Sequence, residues 1–364
     1  RRAKDQVKAL TRLGFDRPYL LSYEDLLTGQ SLSDAIPEGA IFRVESWGDE
    51  PVVEQLLIAS GDGPDLDSSV DFGRYDDQVA LKKGVEAMLL GVQAVLAERP
   101  DVQVMNAPDA VLDMLDKRRA RERLVAAGVP VAPGLDDLEI REPTDLRRAM
   151  ARAGWGQVFV KPRWGSSAAG IIALRSSGGR IASYSTLELV GADDSDGATE
   201  DKLYHSVRVR REDRVDRIDR LLRPILQAGA VVERWIPKRA HPQSRKAMDF
   251  RVVCIGGEPQ HSVIRTSPSP ITNLHLGNAR ESFDEFANQC PKAAAAVYDV
   301  ARLAAAAFPS SMTVSADVLL ERERDRALVL EVNSFGELLH RVTINGADAY
   351  EALWSHAFLT INNA

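Results

Sequence analysis

The sequence predicts a mixed α/β protein in which a small parallel α/β unit comes first and α+β units follow. Roughly the first hundred residues alternate short apolar strands with helices, an order that is typical of a parallel sheet. The later part of the chain contains apolar runs joined by turns, which is typical of antiparallel hairpins. At 364 residues the chain is long enough for two or three packed units.

Composition and charge narrow the class of protein. Apolar residues make up 45% of the chain, enough for an ordinary globular core. The net charge is −7 with acids and bases interleaved, whereas nucleic-acid binding needs a basic surface, so no nucleic-acid partner is expected. No apolar run is long enough to span a bilayer, so no membrane partner is expected. Cys254 and Cys290 lie far apart without metal-type spacing, which favours reduced thiols and a reducing, cytoplasmic location.

The parallel α/β unit is predicted over residues 1–106. Helices are predicted at Arg2–Leu13, Glu50–Ala59 and Asp76–Arg99. Strands are predicted at Pro18–Ser22, Ile41–Glu45 and Val102–Met105. The unit lacks a Gly-x-Gly-x-x-Gly sequence, so no dinucleotide site is indicated. Because the chain opens on Arg1 with a helical pattern, we expect the natural protein to begin earlier and to contribute a first strand there.

Two lysines are candidate phosphate contacts. Lys117 lies on a predicted helix, Asp109–Gly128, where the alternative is a solvated basic face. Lys161 ends a predicted strand and is followed by the loop Gly165–Gly170. Small residues let backbone N–H groups approach phosphate oxygens. The sequence therefore predicts a phosphate-binding loop, distinct from a Walker loop because no Gly-Lys-Ser/Thr follows.

Two further segments carry candidate residues. The run Ala230–Pro237 predicts a strand that leads into a turn, which can offer backbone groups to an adenine edge. The run Asp249–Arg265 predicts a hairpin on which Asp249, Arg251 and Arg265 alternate. Arg265 has two interpretations: a structural ion pair with Asp249, or a contact to charge that develops during a reaction.

The hairpin at residues 314–332 carries a candidate metal site. Its two apolar strands place Asp317 inside the first, and Glu331 and Asn333 at the end of the second. The latter two are two residues apart and so point to one face. Buried carboxylates need compensation, and Mg²⁺ prefers such oxygen ligands. The alternative is that Asp317 caps a turn and Glu331 pairs with an arginine.

Taken in chain order, these pieces resemble the ATP-grasp superfamily, in the branch with glutathione synthetase, D-alanine–D-alanine ligase and the RimK-type glutamate ligases. The resemblance covers about two thirds of the chain, from Asn106 to Gly336. It implies two α+β subdomains at 107–364, a lid at about 130–235 and a metal-binding core at about 236–364, after the α/β unit. Ala168 and Ala169 depart from the more glycine-rich loop of the family.

The resemblance also implies a role for each candidate residue. Arg251, Arg265 and Asn273 would act in catalysis. Asp317, Glu331 and Asn333 would hold Mg²⁺, with Mn²⁺ as a substitute. The residues implied to bind ATP are Lys117, Lys161, Gly165, Ser166, Ser167, Glu233, Arg234, Trp235, Ile236 and Asp249.

The activity implied by the resemblance is an ATP-dependent, ADP-forming ligase. Such an enzyme activates a carboxylate as an acylphosphate for attack by an amine or thiol. The partners implied are a small-molecule or peptide carboxylate and an amine or thiol acceptor. The alternatives are a small-molecule kinase of the same fold and a nucleotide-binding regulatory protein without turnover.

Overall fold

Two five-stranded antiparallel sheets dominate the chain. The structure is a computed structural model, and it describes residues 2–48, 50–63, 73–75, 77–165, 168–190, 201–322, 324, 326–335, 339 and 342–362. None of the helices in these ranges is long and apolar enough to cross a membrane.

The N-terminal part contains a small parallel sheet flanked by helices. The elements are α1 (Arg2–Arg12), α2 (Tyr23–Leu27), α3 (Leu32–Ala35), β1 (Ile41–Arg43), α4 (Pro51–Ser60), α5 (Gln78–Ala97) and β2 (Gln103–Met105). Strands β1 and β2 pair in parallel, as predicted. The strand predicted at residues 18–22 is wrong, because these residues pair with no neighbouring strand. Pro18 lacks an N–H donor, and the side chains of Tyr19 and Leu20 are exposed.

Two short helices connect this part to the large sheets. They are α6 (Pro108–Leu115) and α7 (Lys117–Ala126). Asp116 separates them and caps α7, because its carboxylate accepts from the backbone N–H groups of Arg118 and Arg119. The carboxylate of Asp116 also accepts hydrogen bonds from Nε and Nη2 of Arg163, at 2.6 to 2.9 Å. The cap therefore fixes Lys117 as the first residue of α7.

The first large sheet has helices on one face only. Its elements are α8 (Pro143–Ala153), β3 (Gln157–Lys161), β4 (Ile172–Ser177), β5 (Arg180–Val190), β6 (Lys202–Glu212), α9 (Val215–Gln227) and β7 (Val231–Arg234). The strand order is β6-β5-β4-β3-β7. Val158 and Val160 of β3 pack with α8 and α9 in one buried cluster. Period-two alternation therefore turns Phe159 and Lys161 to the other face.

The second large sheet is covered by helices on one face and only partly on the other. Its elements are β8 (Ala247–Ile255), β9 (Glu258–Ser267), a 3₁₀ turn (Leu274–Leu276), β10 (Ala279–Ser282), α10 (Phe283–Gln289), α11 (Pro291–Ala306), β11 (Thr313–Leu320), β12 (Ala327–Asn333), β13 (Thr343–Ile344), β14 (Ala347–Asp348) and α12 (Ala349–Asn362). The strand order is β10-β9-β8-β11-β12. Helices α10 and α11 pack on the apolar face. Helices α1 and α12 cover one end of the opposite face, Leu319 and Leu328 pack with Ala132 and Ile236 at another part of it, and charged side chains lie between.

The predicted hairpin forms, as strands β11 and β12 pair antiparallel. Asp317 of β11 lies opposite Glu331 of β12, and Ser315 lies opposite Asn333. The register shifts next to Asp317, because Val318 pairs with Val329 and Leu330 is an extra residue on β12. Such a bulge leaves a backbone group outside the ladder, and the carbonyl of Leu330 is used in the site.

Candidate active site

The polar face of the second sheet carries a row of charged side chains. Arg251 of β8 pairs in register with Asp317 of β11, which pairs in turn with Glu331 of β12. Asp249 of β8 lies opposite Arg265 of β9. Because residues two apart on a strand share a face, all five side chains lie on the side of the sheet away from α10 and α11.

Four of these charges, with Lys238, form an alternating chain of ion pairs. Lys238 Nζ lies 2.8 Å from Asp249 Oδ2, and Arg265 Nε lies 2.7 Å from Asp249 Oδ1. Arg265 Nη1 lies 3.0 Å from Asp317 Oδ2. Arg251 donates to both oxygens of Asp317, at 2.8 and 2.9 Å. Lys238, Asp249, Arg265, Asp317 and Arg251 thus form one buried network of alternating charges.

The pKa directions within this chain follow from burial and pairing. Burial raises the pKa of Asp317, but the charges of Arg251 and Arg265, with their hydrogen bonds, hold it well below the ordinary carboxyl value. Burial likewise raises the pKa of Asp249, but the charges of Arg265 and Lys238 keep it below the ordinary carboxyl value. Burial lowers the pKa of Lys238, and Asp249 offsets this only in part. Both aspartates are therefore carboxylates at neutral pH.

The structure gives the partners of Arg265, for which the sequence left two interpretations. Arg265 does form the structural ion pair with Asp249 that the sequence allowed, and it also reaches Asp317. Asp249 is 1% exposed. Its Oδ1 accepts from Arg265 and its Oδ2 from Lys238 and Thr272, so both oxygens have protein partners. Asp249 therefore holds Arg265 through Oδ1 and is itself held by Lys238 and Thr272 through Oδ2.

The candidate metal ligands lie together at the β11–β12 edge. Among the described residues, no three His, Cys, Asp or Glu side chains group to hold a metal ion. A cation here would therefore need the amide of Asn333 beside the carboxylates of Asp317 and Glu331. Asn333 Nδ2 is buried and has no hydrogen-bond partner in the described part of the chain, so its amide is not committed elsewhere. The donors are hard oxygens on one face, and this set fits Mg²⁺.

The two candidate lysines line one cleft from different elements. Lys117 Nζ lies 3.4 Å from Glu331 Oε1 and donates to the carbonyl of Gly165 at 2.5 Å. Lys161 Nζ lies 2.6 Å from Glu233 Oε2 and donates to the carbonyl of Leu330 at 3.0 Å. The bulge on β12 leaves this carbonyl available. Lys117 is thus not on a solvated helix face, the alternative that the sequence left open.

The cleft lies between the two sheets and is closed on a third side by α6 and α7. Its charged lining is Lys117, Arg121, Lys161, Glu233 and Glu331. The apolar lining is Met114, Ala120, Leu124, Val131, Val231, Val329, Leu330 and Val332. Such a mixture of apolar walls and a few charged groups is typical of a small-molecule site.

The loop after Lys161 contains two glycines in the left-handed backbone region. Gly165 has φ of +123° and Gly170 has φ of +72°, where L-residues are strained. A Cβ on Gly170 would lie 2.7 Å from the ring of Pro162, so this glycine is required by packing as well. Ala168 also has a positive φ, of 62°, a conformation that is strained for an L-residue. Ser166 and Ser167 lie outside the described residues.

The residues predicted to contact adenine, Glu233 to Ile236, lie in different environments. Glu233 is 6% exposed, lines the lysine cleft and also pairs with Arg121. Arg234 is exposed. The backbone N–H and carbonyl of Trp235 are both engaged by Gln157, so these two groups are already satisfied. Ile236 is 8% exposed.

The segment that joins β9 to β10 is tied to the ion-pair chain. The hydroxyl of Thr272 donates to Asp249 and accepts from Lys238. Asn273 is half-buried, and its carbonyl accepts from the N–H of Leu276 in the 3₁₀ turn. The segment carrying Asn273 is therefore held next to Arg265 by its neighbour.

Three buried residues escaped the sequence reasoning. Lys238 follows Pro237 in a charged loop, and Arg121 is one of several bases on α7, so neither stands out by pattern. Asn106 directly follows the predicted strand Val102–Met105. A buried position combined with a fixed charge is visible only once the sheets pack. An asparagine directly after a predicted strand is the one usable signal, because Asn tolerates the left-handed backbone.

Two antiparallel sheets that face each other across a lysine-lined cleft are the architecture of the ATP-grasp fold, and comparison with solved structures shows that the chain has this fold. It is similar to the D-cycloserine synthetase DcsG, with 14% identity, 98% of this chain and 95% of that chain covered, and a TM-score of 0.54. The fold predicted from the resemblance is therefore confirmed.

Two structures of the ATP-grasp ligase PsnB are also similar to the chain. The complex with a phosphomimetic variant of the minimal precursor, Mg and ADP has 18% identity, covers 97% of this chain and 94% of that one, and gives a TM-score of 0.51. The complex with the minimal precursor, Mg and ADP has 16% identity, covers 97% and 93%, and gives 0.50. No protein-family model matches the sequence, and no curated protein matches it.

The ion-pair chain predicts how stability depends on pH. Asp317→Asn should lower the free energy of unfolding by roughly 3–5 kcal/mol at neutral pH, because two buried arginines lose a charge partner. The folded pKa of Asp317 is lowered, so its contribution is complete above the unfolded carboxyl pKa and is lost as pH falls through the folded pKa. The wild-type-to-variant difference should thus shrink by about 1.4 kcal/mol per pH unit below about pH 4.

Urea unfolding at several pH values measures this difference. Asp299→Asn is the control, because Asp299 is exposed and pairs with Arg302 at the surface. That variant should differ from the wild type by less than about 1 kcal/mol. A pH-independent difference for Asp317→Asn would contradict the assigned ion pairs.

Proposed function

We propose that the protein is an ATP-dependent, Mg²⁺-dependent ligase that joins a carboxylate to an amine or thiol through an acylphosphate. One observation carries the proposal. Two lysines from separate elements and two arginines from the second sheet surround one set of oxygen ligands, at Glu331, Asn333 and Asp317. This is the charge arrangement that transfer of a phosphoryl group needs.

The chemistry explains why so many cations are needed. A carboxylate resists attack by an amine, because oxide would have to leave. Transfer of the γ-phosphoryl group of ATP to a carboxylate oxygen forms an acylphosphate and releases ADP. The amine then attacks the acyl carbon and phosphate leaves with the bridging oxygen. The protein must hold the triphosphate and the carboxylate, both anionic, in line with each other.

Each charged group of the cleft has a proposed part in this. Lys117 and Lys161 bind phosphate oxygens and exchange their present carbonyl and carboxylate partners for them. The backbone of Gly165–Gly170 closes over the phosphates. Glu233, beside Lys161, accepts a hydrogen bond from the exocyclic amine of adenine, and Arg234, Trp235 and Ile236 form the wall behind it.

Glu331, Asn333 and Asp317 are the proposed Mg²⁺ ligands. The bound cation would supply charge neutralisation between the β- and γ-phosphates, and Mn²⁺, with the same preference for oxygen ligands, could replace it. Asp317 already accepts from two arginines. Glu331 and Asn333 are therefore the ligands with the most freedom, and Asp317 shares its oxygens between the cation and the arginines.

Arg251 and Arg265 bind the acid. A carboxylate or a transferring phosphoryl group would accept hydrogen bonds from these two guanidinium groups. Arg265 Nε is held by Asp249, so the guanidinium keeps one orientation during the reaction. Asn273, on the segment anchored by Thr272, is placed to contact the acceptor.

The names of similar proteins support the class of substrate. DcsG is described as a D-cycloserine synthetase, and PsnB as an ATP-grasp ligase bound to a minimal precursor. Those substrates belong to those proteins. For this chain we propose a small-molecule or peptide carboxylate and an amine or thiol acceptor, acting in the cytoplasm.

An oxygen-label experiment tests the proposal. Carboxylic acids that raise the melting temperature with a non-hydrolysable ATP analogue and Mg²⁺ are first selected. Each is then supplied with ¹⁸O in its carboxylate, with ATP and a panel of amines and thiols. We expect ADP release that needs both acid and acceptor, and one ¹⁸O atom in the phosphate released, because the bridging oxygen leaves with phosphate.

Other outcomes favour the other two activities of this fold. ADP release with a single acceptor, and a stable phosphorylated product, would indicate a kinase. Nucleotide binding without ADP release under any combination would indicate a regulatory protein. Glu331→Ala is the matched inactive variant, and unchanged turnover in it would contradict the proposed metal site.

The lysines predict a binding effect. Lys117→Met and Lys161→Met should each weaken binding of an ATP analogue by roughly 1–3 kcal/mol, because each removes a charge-assisted contact to phosphate. Isothermal titration calorimetry measures it. Lys83→Met is the control, because Lys83 pairs with Asp62 at the surface and should not affect binding. Equal affinities in all four proteins would show that neither lysine contacts nucleotide.

Arg265 predicts a rate effect. Arg265→Lys should lower kcat by about 10²–10³ with little change in ATP affinity, because one ammonium cannot hold Asp249, Asp317 and a transferring group together. Steady-state kinetics and nucleotide titration separate the two. Arg302→Lys, at an exposed pair with Glu258, is the control. Preserved turnover per folded, nucleotide-bound molecule would make Arg265 a structural residue.

A further inference from the structure

Asn106 joins the N-terminal part of the chain to the metal edge of the second sheet. It follows β2 directly, is 1% exposed and has φ of 60°. Its Nδ2 donates to the carbonyl of Thr313 at 2.8 Å and to that of Ser334 at 2.7 Å. Its Oδ1 accepts from the N–H of Thr313 at 3.0 Å. Both donor directions of Nδ2 and one acceptor direction of Oδ1 are therefore engaged by the protein.

The two partners are the ends of the strands that carry the proposed metal ligands. Thr313 is the first residue of β11, two residues before Ser315, which lies opposite Asn333. Ser334 follows Asn333 directly and is 2% exposed. A single side chain thus holds the start of β11 and the end of β12 at one fixed separation.

A second contact holds the same strand end. The ring of Phe335 meets the ring of Trp47 edge to face, with centroids 6.0 Å apart, and packs on the apolar cluster of the N-terminal helices. Ser334 and Phe335 are therefore both anchored to elements that lie outside the second sheet. The position of Asn333 is set from the N-terminal part, although no N-terminal element contributes a proposed ligand.

We infer that Asn106 is a positioning residue for the divalent-cation site, acting through Ser334 on Asn333; this inference rests on the proposed function. Asn333 ends β12 and has no strand residue after it to fix its backbone. The side-chain hydrogen bonds of Asn106 hold this strand end in place of the backbone hydrogen bonds that a longer strand would make. Its amide donates twice and accepts once, a pattern that Asp, Ser and Ala cannot reproduce, and asparagine also tolerates the left-handed backbone.

The test measures cation binding directly. Asn106→Asp keeps the shape and the backbone preference of the residue, but it replaces the donor to Thr313 and Ser334 with an acceptor. In the presence of a non-hydrolysable ATP analogue, the Kd for Mn²⁺, measured by electron paramagnetic resonance, should rise by about 10-fold or more. Binding of the analogue in the absence of metal should change little.

Two further variants keep the inference testable. Asn106→Ser retains one short donor and should give an intermediate Mn²⁺ affinity, and it serves if Asn106→Asp does not fold. Asn345→Asp is the matched control, because Asn345 also has a positive φ but is exposed. It should leave the Mn²⁺ affinity unchanged.

The outcomes separate this inference from the proposed function. A lower melting temperature with wild-type Mn²⁺ affinity in both Asn106 variants would overturn the inference, since a structural role alone moves only stability. A wild-type protein that binds neither the analogue nor Mn²⁺ would overturn the proposed function and the inference with it. A graded loss, from wild type through Ser to Asp, supports the inference.

Discussion

Asp317 is the carboxylate on which the polar face of the second sheet depends. Its two oxygens accept from Arg251 and Arg265, and through Arg265 the chain extends to Asp249 and Lys238. A buried charge without partners costs several kcal/mol. Removing one member of this chain of ion pairs therefore leaves its neighbour buried without that partner. The two guanidinium groups lie where strands β8, β9 and β11 meet, and in the proposed function they bind the acid there.

Two of the contacts that join the sheets and α7 are made by the lysines that we propose bind nucleotide. Lys161 joins the first sheet to the carbonyl of Leu330 on the second. Lys117 joins α7 to Glu331 and to the loop at Gly165. When phosphate enters, these lysines can exchange carbonyl and carboxylate partners for phosphate oxygens without leaving the cleft. The same residues can thereby hold the sheets together before binding and the ligand afterwards.

The N-terminal part supports the site from outside. Asn106 and Trp47 hold the end of β12. The ammonium group of Lys82 on α5 lies 4.9 Å from the ring of Trp164, next to the phosphate loop. The backbone of Tyr75 donates to Leu203 on β6, the edge strand of the first sheet. The N-terminal part is therefore in contact with both sheets.

The sequence by itself determined the fold class and the order of the candidate groups. The hairpin at residues 314–332 was predictable, because two apolar runs flank a charged turn, whereas the bulge at Leu330 that sets Asp317 opposite Glu331 was not. The glycines and small residues after Lys161 likewise indicated a phosphate loop. The strand at residues 18–22 was wrong, because local apolar character does not provide a neighbouring strand.

Only the tertiary structure decided which charges are partners. Glu233 became the partner of Lys161 and Arg121, and Asp317 that of Arg251, because these residues lie far apart in sequence and meet only in the folded chain. Asn106 shows the reason in one residue. Its hydrogen bonds span more than two hundred positions to Thr313 and Ser334, and no local pattern of apolar and polar residues encodes a contact across that separation.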